Sequence, residues 1–439
     1  MNETFNISGK HIAVFGAGRS GVAAAALALR EGAKVSMWDQ GDLDVFKSVP
    51  AGVEIHANLT IRDAENFSAD MIVLSPGIDT YSPLVQAFAA HTHLMGETEF
   101  ASRFYDGGII GITGTNGKTT TTELVSRILK EAGKGGTPCA NYGMPLSEVI
   151  LANDIPAAVS LELSSFQLET IHTLHPDVSI WLNFAPDHMD RYPTVEAYKN
   201  AKLRIFENQT ASDTVISRYG EELGQIAPKL ITFSTECLDA DFYSDGKTII
   251  HEGEVILNIE SETALRGLHN AENAMAAIAA CMAYGIDGNV IGRALEGYAP
   301  PPHRCELVRT LDGVEYLNDS KATNLHALQC AIRSQSRPVV LIAGGKNKGL
   351  DYSSVLPFLK NQVAEVITFG EIARPLADLF RTVVTCSTVS TLEQAVHHAR
   401  SVAPRGSTVL LSPGTSSFDQ FKGYEHRGNV FRDIVQQLH

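Results

Sequence analysis

His11-Ile12-Ala13-Val14-Phe15-Gly16-Ala17-Gly18-Arg19-Ser20-Gly21 joins a short apolar run to a turn built on three glycines. An Ala-rich helical stretch follows, ending near Gly32, and a second apolar run occupies Lys34 to Trp38. That order predicts a βαβ unit. Its glycines let the backbone approach a pyrophosphate, which then rests on the positive end of the helix. Asp39, closing the second run, is placed to accept from a hydroxyl of the attached sugar. Gly16, Gly18, Arg19, Ser20, Gly21 and Asp39 are therefore candidates for holding a nucleoside diphosphate. The pattern leaves open whether that is NAD or another diphosphate, and a tight turn with no ligand is the plain alternative.

Working outward, apolar runs at Met71–Leu74 and Gly108–Thr113 are each separated by helical stretches. Parallel sheets covered on both faces follow from this alternation. A second series offers strands at Ala158–Leu163 and Val178–Phe184, a helix across Thr194–Asn208 and a buried helix at Ala274–Tyr284. Around Phe242–Ile259 the alternation is broken at Asp245-Gly246 and Gly253, which predicts a β-hairpin. Ala299-Pro300-Pro301-Pro302 reads as a linker, since consecutive prolines fit neither a helix nor a central strand. Beyond it, runs at Val314–Leu317, Val339–Ala343, Glu365–Phe369 and Thr408–Leu411 alternate with helices, the last at Asn429–Leu438.

A chain of 439 residues exceeds the roughly 250–300 that one core supports. The expected class is α/β in three domains: a Rossmann-like domain over residues 1–100, a P-loop-like central domain with a parallel sheet over 101–300, and a Rossmann-like C-terminal domain over 301–439.

Composition excludes several classes. With 44% apolar and 19% charged residues the chain is neither disordered nor fibrous. Lys and Arg number 35 against 50 Asp and Glu, a net charge of −15 with no basic run, so nucleic acid and anionic membranes are disfavoured as partners. Six scattered cysteines without zinc spacing fit a reduced compartment. There is no basic-then-apolar leader and no apolar stretch near about 20 residues, so the expected location is cytoplasmic.

The second glycine cluster, Gly111-Ile112-Thr113-Gly114-Thr115-Asn116-Gly117-Lys118-Thr119-Thr120, sits between a predicted strand and a helix. It departs from the strict P-loop, whose first glycine would fall on Ile112. The parts a polyphosphate needs are nevertheless present: loop N–H groups, Lys118 for the β- and γ-phosphates, and the Thr119 hydroxyl for Mg²⁺. ATP is the expected ligand. Glu162, on a strand covered on both faces, needs a cation such as Mg²⁺ shared with Thr119, unless the strand end reaches water. His188, in Asp187-His188-Met189-Asp190-Arg191, stands at a carboxyl edge, although a lone histidine is more often a hydrogen-bonded structural residue. Lys202 on a helix is by default solvated. In the third domain, Asn318–Asn324, Gly344–Gly349 and Ser412–Asp419 put three polar strand ends on one rim, and Lys321, Lys346 and Lys348 suggest a small anionic substrate there, with a set of plain polar loops as the alternative.

Taken together, Gly114–Thr120, Glu162–Leu168, Asp187–Tyr192, His303-Arg304 and Asn318–Asn324 resemble the Mur ligases of peptidoglycan synthesis, in the right order along the whole chain. Within that family the chain looks most like the branch that adds D-glutamate, chiefly at 318–324 and Ser412–Phe421 and in its single-sheet first domain. The resemblance implies that the first domain binds UDP rather than NAD, with Ser75, Pro76 and Gly77 lining the pocket. It implies Mg-ATP at Gly114, Thr115, Asn116, Gly117, Lys118, Thr119 and Thr120, with Asn273, Arg304 and Asp319, and two metal sites involving Thr119, Glu162, His188 and Lys202, the last as a carbamate. Asn141 and His188 would lie near the muramoyl carboxylate, and Lys118, His188 and Lys202 would serve catalysis. Lys321, Thr323, Lys348, Ser417, Phe418 and Tyr424 would surround D-glutamate. Tyr424 replaces a phenylalanine of better-known members, and Gln40-Gly41 replaces a Thr-Arg pair at the uracil end.

What this implies is an ATP-dependent amide ligase acting on UDP-N-acetylmuramoyl-L-alanine and D-glutamate as a monomer, through an acyl phosphate, with domain closure on binding. The competing expectations are a Mur-type ligase for a different amino acid, an NAD-dependent dehydrogenase fused to a nucleotide-binding unit, and a nucleotide-sensing module without catalysis.

Overall fold

Strand segments that run apolar on both faces must be covered on both faces, and that requirement organises the chain. The computed structural model describes residues 5–90, 92–189, 191–299, 302–335 and 337–439, with the backbone alone of Asn361. Pro300 and Pro301 of the expected linker, and Asp190, lie outside these residues. Among the described residues the strands form three sheets.

The first sheet holds β1 (His11–Phe15), β2 (Lys34–Trp38), β3 (Glu54–His56), β4 (Met71–Leu74) and β5 (His93–Gly96). Its order is β3-β2-β1-β4-β5 and every pair is parallel. The order reverses between β1 and β4, so the Gly16 turn and the Ser75 segment meet at a topological switch point, where open α/β sheets bind ligands.

The second sheet holds β6 (Gly108–Thr113), β7 (Gly135–Ala140), β8 (Ala158–Glu162), β9 (Val178–Trp181), β10 (Thr214–Arg218), β11 (Lys229–Ser234), β12 (Phe242–Ser244), β13 (Thr248–His251) and β14 (Glu254–Asn258). Its parallel body runs β12-β11-β10-β9-β6-β8-β7. The expected hairpin is β13 and β14, joined by Glu252 and Gly253 at φ +50° and +82°, a pair of left-handed residues that suits a tight β-turn.

The third sheet holds β15 (Glu306–Leu311), β16 (Val314–Asn318), β17 (Val339–Gly344), β18 (Val363–Phe369), β19 (Thr385–Thr388) and β20 (Thr408–Leu411). The order is β15-β16-β20-β17-β18-β19, antiparallel only at β15/β16. The ends of β16, β20 and β17 are thereby neighbours, as the three-rim expectation requires. The α/β class is borne out.

Contacts divide the chain into two compact units. One runs up to Tyr243 and includes Ile250–Ile256 and Glu272–Glu296; the other comprises Ser244–Ile249, Leu257–Ala271 and Gly297–His439. The first sheet and the body of the second as far as Tyr243 thus share one unit, and a buried carboxylate shows how. Glu99, on the helix Glu97–Ser102, accepts from the backbone N–H groups of His172, Thr173 and Leu174 at 2.9–3.1 Å, from the Thr173 hydroxyl, and from Arg103. Burial alone would push its carboxyl up; these hydrogen bonds outweigh it and hold the group below the usual range. Replacing Glu99 by Ala should lower unfolding stability by about 3 kcal/mol, because three buried N–H groups lose their acceptor. Denaturant melts at neutral pH would show this as a lower midpoint, and an unchanged midpoint would refute it.

Candidate active site

The first glycine turn is shaped by close approach. Gly16 has φ +97°, and a Cβ there would come within 2.8 Å of Ser75 Cβ and 2.9 Å of Ile78 Cδ1; a Cβ on Gly21 would lie 1.8 Å from the Gly16 carbonyl oxygen. The glycines therefore bring β1, β4 and the helix Arg19–Arg30 together. Asp39 spends both oxygens on backbone: Oδ2 accepts from Ala17 N and Oδ1 from Gly41 N, each at 2.8 Å. It braces the turn as well as facing it, and each oxygen keeps a second lone pair for a hydroxyl. Gly41, at the departure from the family, is demanded by Val45, whose Cγ1 would sit 2.7 Å from an added Cβ. Beside it the Trp38 and His56 rings stack at 3.6 Å. Arg19 is exposed and pairs with Glu148, and Ser20 follows it in the first turn of the helix.

A cavity in the same unit is lined by Ser75, Pro76, Ile78, Thr80, Glu97, Thr98, Phe166 and Gln167. Gly77 lies in the same segment, between Pro76 and Ile78.

The second glycine loop is pinned on three sides. Gly114 has φ +145° and Gly117, preceding the helix Lys118–Glu131, has φ +87°; a Cβ on Gly117 would meet Asn273 Oδ1 at 2.2 Å. Asn183, just past β9, accepts from Asn116 N at 3.0 Å and returns a bond to the Asn116 carbonyl, while Thr115 donates its N–H to the Asn183 carbonyl and its hydroxyl to the Ala185 carbonyl. Two lysines converge on one carbonyl: Lys118 Nζ and Lys202 Nζ reach the Gly114 oxygen at 2.9 and 2.8 Å. Lys202 is 2% exposed, so the default expectation of a solvated lysine fails here. Burial, then the Lys118 charge, holds its amine well below the ordinary lysine range.

Thr119 and Thr120 are buried in the first turn of that helix. Glu162, at the end of β8, accepts from Asn141 Nδ2 at 2.6 Å through Oε1, while its buried Oε2 has no hydrogen-bond partner. The water-exposed alternative for Glu162 is therefore excluded, and an unpartnered buried carboxylate oxygen beside a threonine-tipped phosphate loop suits a hard cation. His188 is exposed, with φ +56° and its ring 5.0 Å from that of Phe166.

The second unit gathers its own set. Asp319 is buried between Ser412 Oγ at 3.0 Å and Cys305 N at 3.3 Å, and burial pushes its carboxyl up to about 7 although Arg304 opposes this. Arg304 Nε is buried without a hydrogen-bond partner. Lys321 Nζ stands 5.0 Å over the Tyr424 ring, and Lys348 Nζ reaches the Thr323 carbonyl at 3.4 Å. Ser417 is buried and Phe418 is 64% exposed on the segment after β20. The segments carrying Lys321, Lys348 and Ser417 thus follow neighbouring strands on one rim.

Sequence reasoning missed three residues in or beside these parts. Asn183 was hidden in an apolar run. His269, whose ring burial and Arg304 hold down to about 4, opens the helix Leu268–Ala283 without a distinguishing pattern. Arg427 is fully buried and donates to Ser320 Oγ, the Ser320 carbonyl and the Thr415 carbonyl, stitching two of the three strand ends together. Its position in an otherwise polar helix, Tyr424–Gln437, gave no sign of burial.

Comparison with known proteins places the chain. The Mur ligase middle domain family matches residues 112–281, the Mur ligase glutamate ligase domain 303–414, and the Mur ligase MurD-like N-terminal domain 10–96. UDP-N-acetylmuramoylalanine--D-glutamate ligases of Geobacter metallireducens and Myxococcus xanthus are 38% and 39% identical, over 98% and 99% of this chain and 98% and 100% of theirs. Among solved structures, MurF ligase from Thermotoga maritima in complex with ADP aligns with TM-score 0.62 at 15% identity, covering 99% of this chain and 97% of that one. A pseudomurein peptide ligase type C from Methanothermus fervidus gives 0.60 at 17%, over 98% and 100%. At these identities the structures speak for the fold.

The Asp319 carboxyl supplies a pH test. Its folded pKa lies above the unfolded value near 3.9, so its stabilising contribution is whole below that value and is lost as pH rises to about 7. Unfolding free energy of the ligand-free protein should fall by up to about 1.4 kcal/mol per pH unit across that window relative to Asp319→Asn. Parallel pH profiles for the two proteins would contradict it.

Proposed function

The chain belongs to the Mur ligase family, and from that premise we infer that it joins D-glutamate to UDP-N-acetylmuramoyl-L-alanine at the expense of ATP. The observation that carries this is the coincidence, in one chain, of a diphosphate turn at a switch point, a glycine loop with Lys118 at its tip, and a lysine-bearing rim in the third sheet.

A carboxylate resists attack by an amine because oxide is a poor leaving group. Its oxygen therefore attacks the γ-phosphorus of ATP, the bond to ADP breaks, and the product is an acyl phosphate. The free amine of D-glutamate then adds to the acyl carbon, phosphate leaves with the bonding pair, and the amine gives up a proton. The Gly114–Thr120 N–H groups and Lys118 hold the phosphates; Lys118, now bound to loop carbonyls, exchanges these for phosphate oxygens. Asn273, Arg304 and Asp319 are assigned to ATP. Gly16–Gly21, Asp39, Ser75–Gly77 and Asn141 are assigned to the UDP-sugar, and Lys321, Thr323, Lys348, Ser417, Phe418 and Tyr424 to D-glutamate.

Thr119, Glu162, His188 and Lys202 are the residues that would hold Mg²⁺, at two sites, supplying charge neutralisation on the phosphoryl oxygens. As a protonated amine Lys202 would set a second cation beside Lys118, which burial disfavours. As a carbamate, formed when Nζ attacks CO₂ and loses a proton, it would set an anion there and serve as a ligand, which favours the modified form. One chain carries residues for all three substrates, so we take a cytosolic monomer as the working unit.

Phosphate release with the UDP-sugar and ATP should depend on D-glutamate and ignore L-glutamate. Stimulation by L-alanine alone would assign the chain to another amino acid. Lys118→Ala should lower turnover by at least about 10³-fold while leaving UDP-sugar affinity unchanged, and an active variant would remove Lys118 from the phosphate role.

A further inference from the structure

Arg191 follows the turn that presents His188. Its backbone N–H and that of Tyr192 both donate to the His188 carbonyl at 3.0 Å. The guanidinium lies 3.9 Å over the Phe166 ring. Nη2 donates to Glu169 Oε2 at 2.6 Å, and Nε stands at ion-pair distance, 3.6 Å, from Asp79 Oδ1, with Nη2 3.5 Å from Thr80 Oγ1. Glu169 is 2% exposed, and its other oxygen takes the Tyr192 hydroxyl, so one buried carboxylate grips the turn twice.

On the far side, Asp79 and Thr80 continue the segment whose Ser75 and Ile78 press on Gly16. Ile78, Thr80 and Phe166 line the same cavity. An unbroken line of contacts therefore runs from the diphosphate turn through Ile78 and Thr80 to Arg191 and on to His188. The φ of +56° at His188 is one that a histidine keeps only when its surroundings impose it. A planar fork stacked on one face, hydrogen-bonded through Nη2 and held with Nε at ion-pair distance only from Asp79, has an imposed orientation, which a mere counter-charge for Glu169 would not need.

We propose that Arg191 is a positioning residue that ties the His188 turn to the wall of the UDP-sugar cavity, so that binding the sugar nucleotide and placing His188 are one coupled event. This rests on the UDP-sugar and His188 assignments above. Contact alone does not establish coupling; interaction between substitutions does.

The test uses the full-length protein, with UDP-sugar Kd by calorimetry and kcat and KM for each substrate. Arg191→Gln should weaken UDP-sugar binding about tenfold and lower kcat about thirtyfold, with the ATP KM held within about twofold. Arg191→Lys keeps the charge but not the fork and should not restore either value. Asp79→Asn, on a half-exposed side chain, should weaken sugar binding about threefold and add nothing on top of Arg191→Gln. A folded Arg191→Gln with unchanged Kd and kcat would overturn the proposal, as would strict additivity of the two substitutions. If Arg191→Gln does not fold, Asp79→Asn decides: unchanged Kd and kcat there overturn it. Wild-type protein that binds the UDP-sugar yet incorporates no D-glutamate would refute the functional assignment, while the Kd comparison still judges Arg191.

Discussion

The carbonyl oxygen of Gly114 accepts from two lysines at once, and the loop that carries it is held by contacts within the first unit. Gly114 must be a glycine at φ +145°, with Leu182 Cβ only 3.0 Å from where a side chain would begin. The loop is then held by Asn183, which continues β9, and by Thr115 reaching Ala185. A loop braced in this way is held by the protein's own contacts, which would leave little ordering to accompany phosphate binding. Two amines on one oxygen are tolerable because burial, with the charge of Lys118 nearby, disfavours the ionised form of Lys202.

The second constraint is topological. Each sheet places its candidate site residues at the carboxyl ends of parallel strands next to a reversal of strand order: Gly16 and Ser75 in the first, Gly114 and Glu162 in the second, Asp319, Lys346 and Ser412 in the third. The same topological rule is used three times in one chain. Within each rim the polar residues are braced by hydrogen bonds from their neighbours. Asp39 holds the first turn, Asn141 the free carboxylate of Glu162, and Arg427 the segments carrying Ser320 and Thr415.

Much of this was legible in the chain because buried parallel strands read as continuous apolar runs. β1, β2, β4, β6 and β20 begin and end where those runs do. β3 and β7 were not, for opposite reasons: Glu54-Ile55-His56 is a short exposed edge, and Gly135–Ala140 owes its strand to the neighbouring β8 rather than to its own residues. Among site residues, those in glycine motifs announced themselves through spacing. Lys202 and Arg427 did not, because both look like ordinary helix-surface cations, and only tertiary packing removes them from water. Pairings distant in sequence, such as Arg191 with Asp79, carry no local signature at all.

Everything above turns on the sugar-linked carboxylate being phosphorylated at the Gly114 loop before the amide forms. The most direct measurement starts from UDP-N-acetylmuramoyl-L-alanine labelled with ¹⁸O in its carboxylate and follows the released phosphate by mass spectrometry. One labelled oxygen per phosphate is the predicted result. Phosphate free of label, with amide formed, would contradict the account.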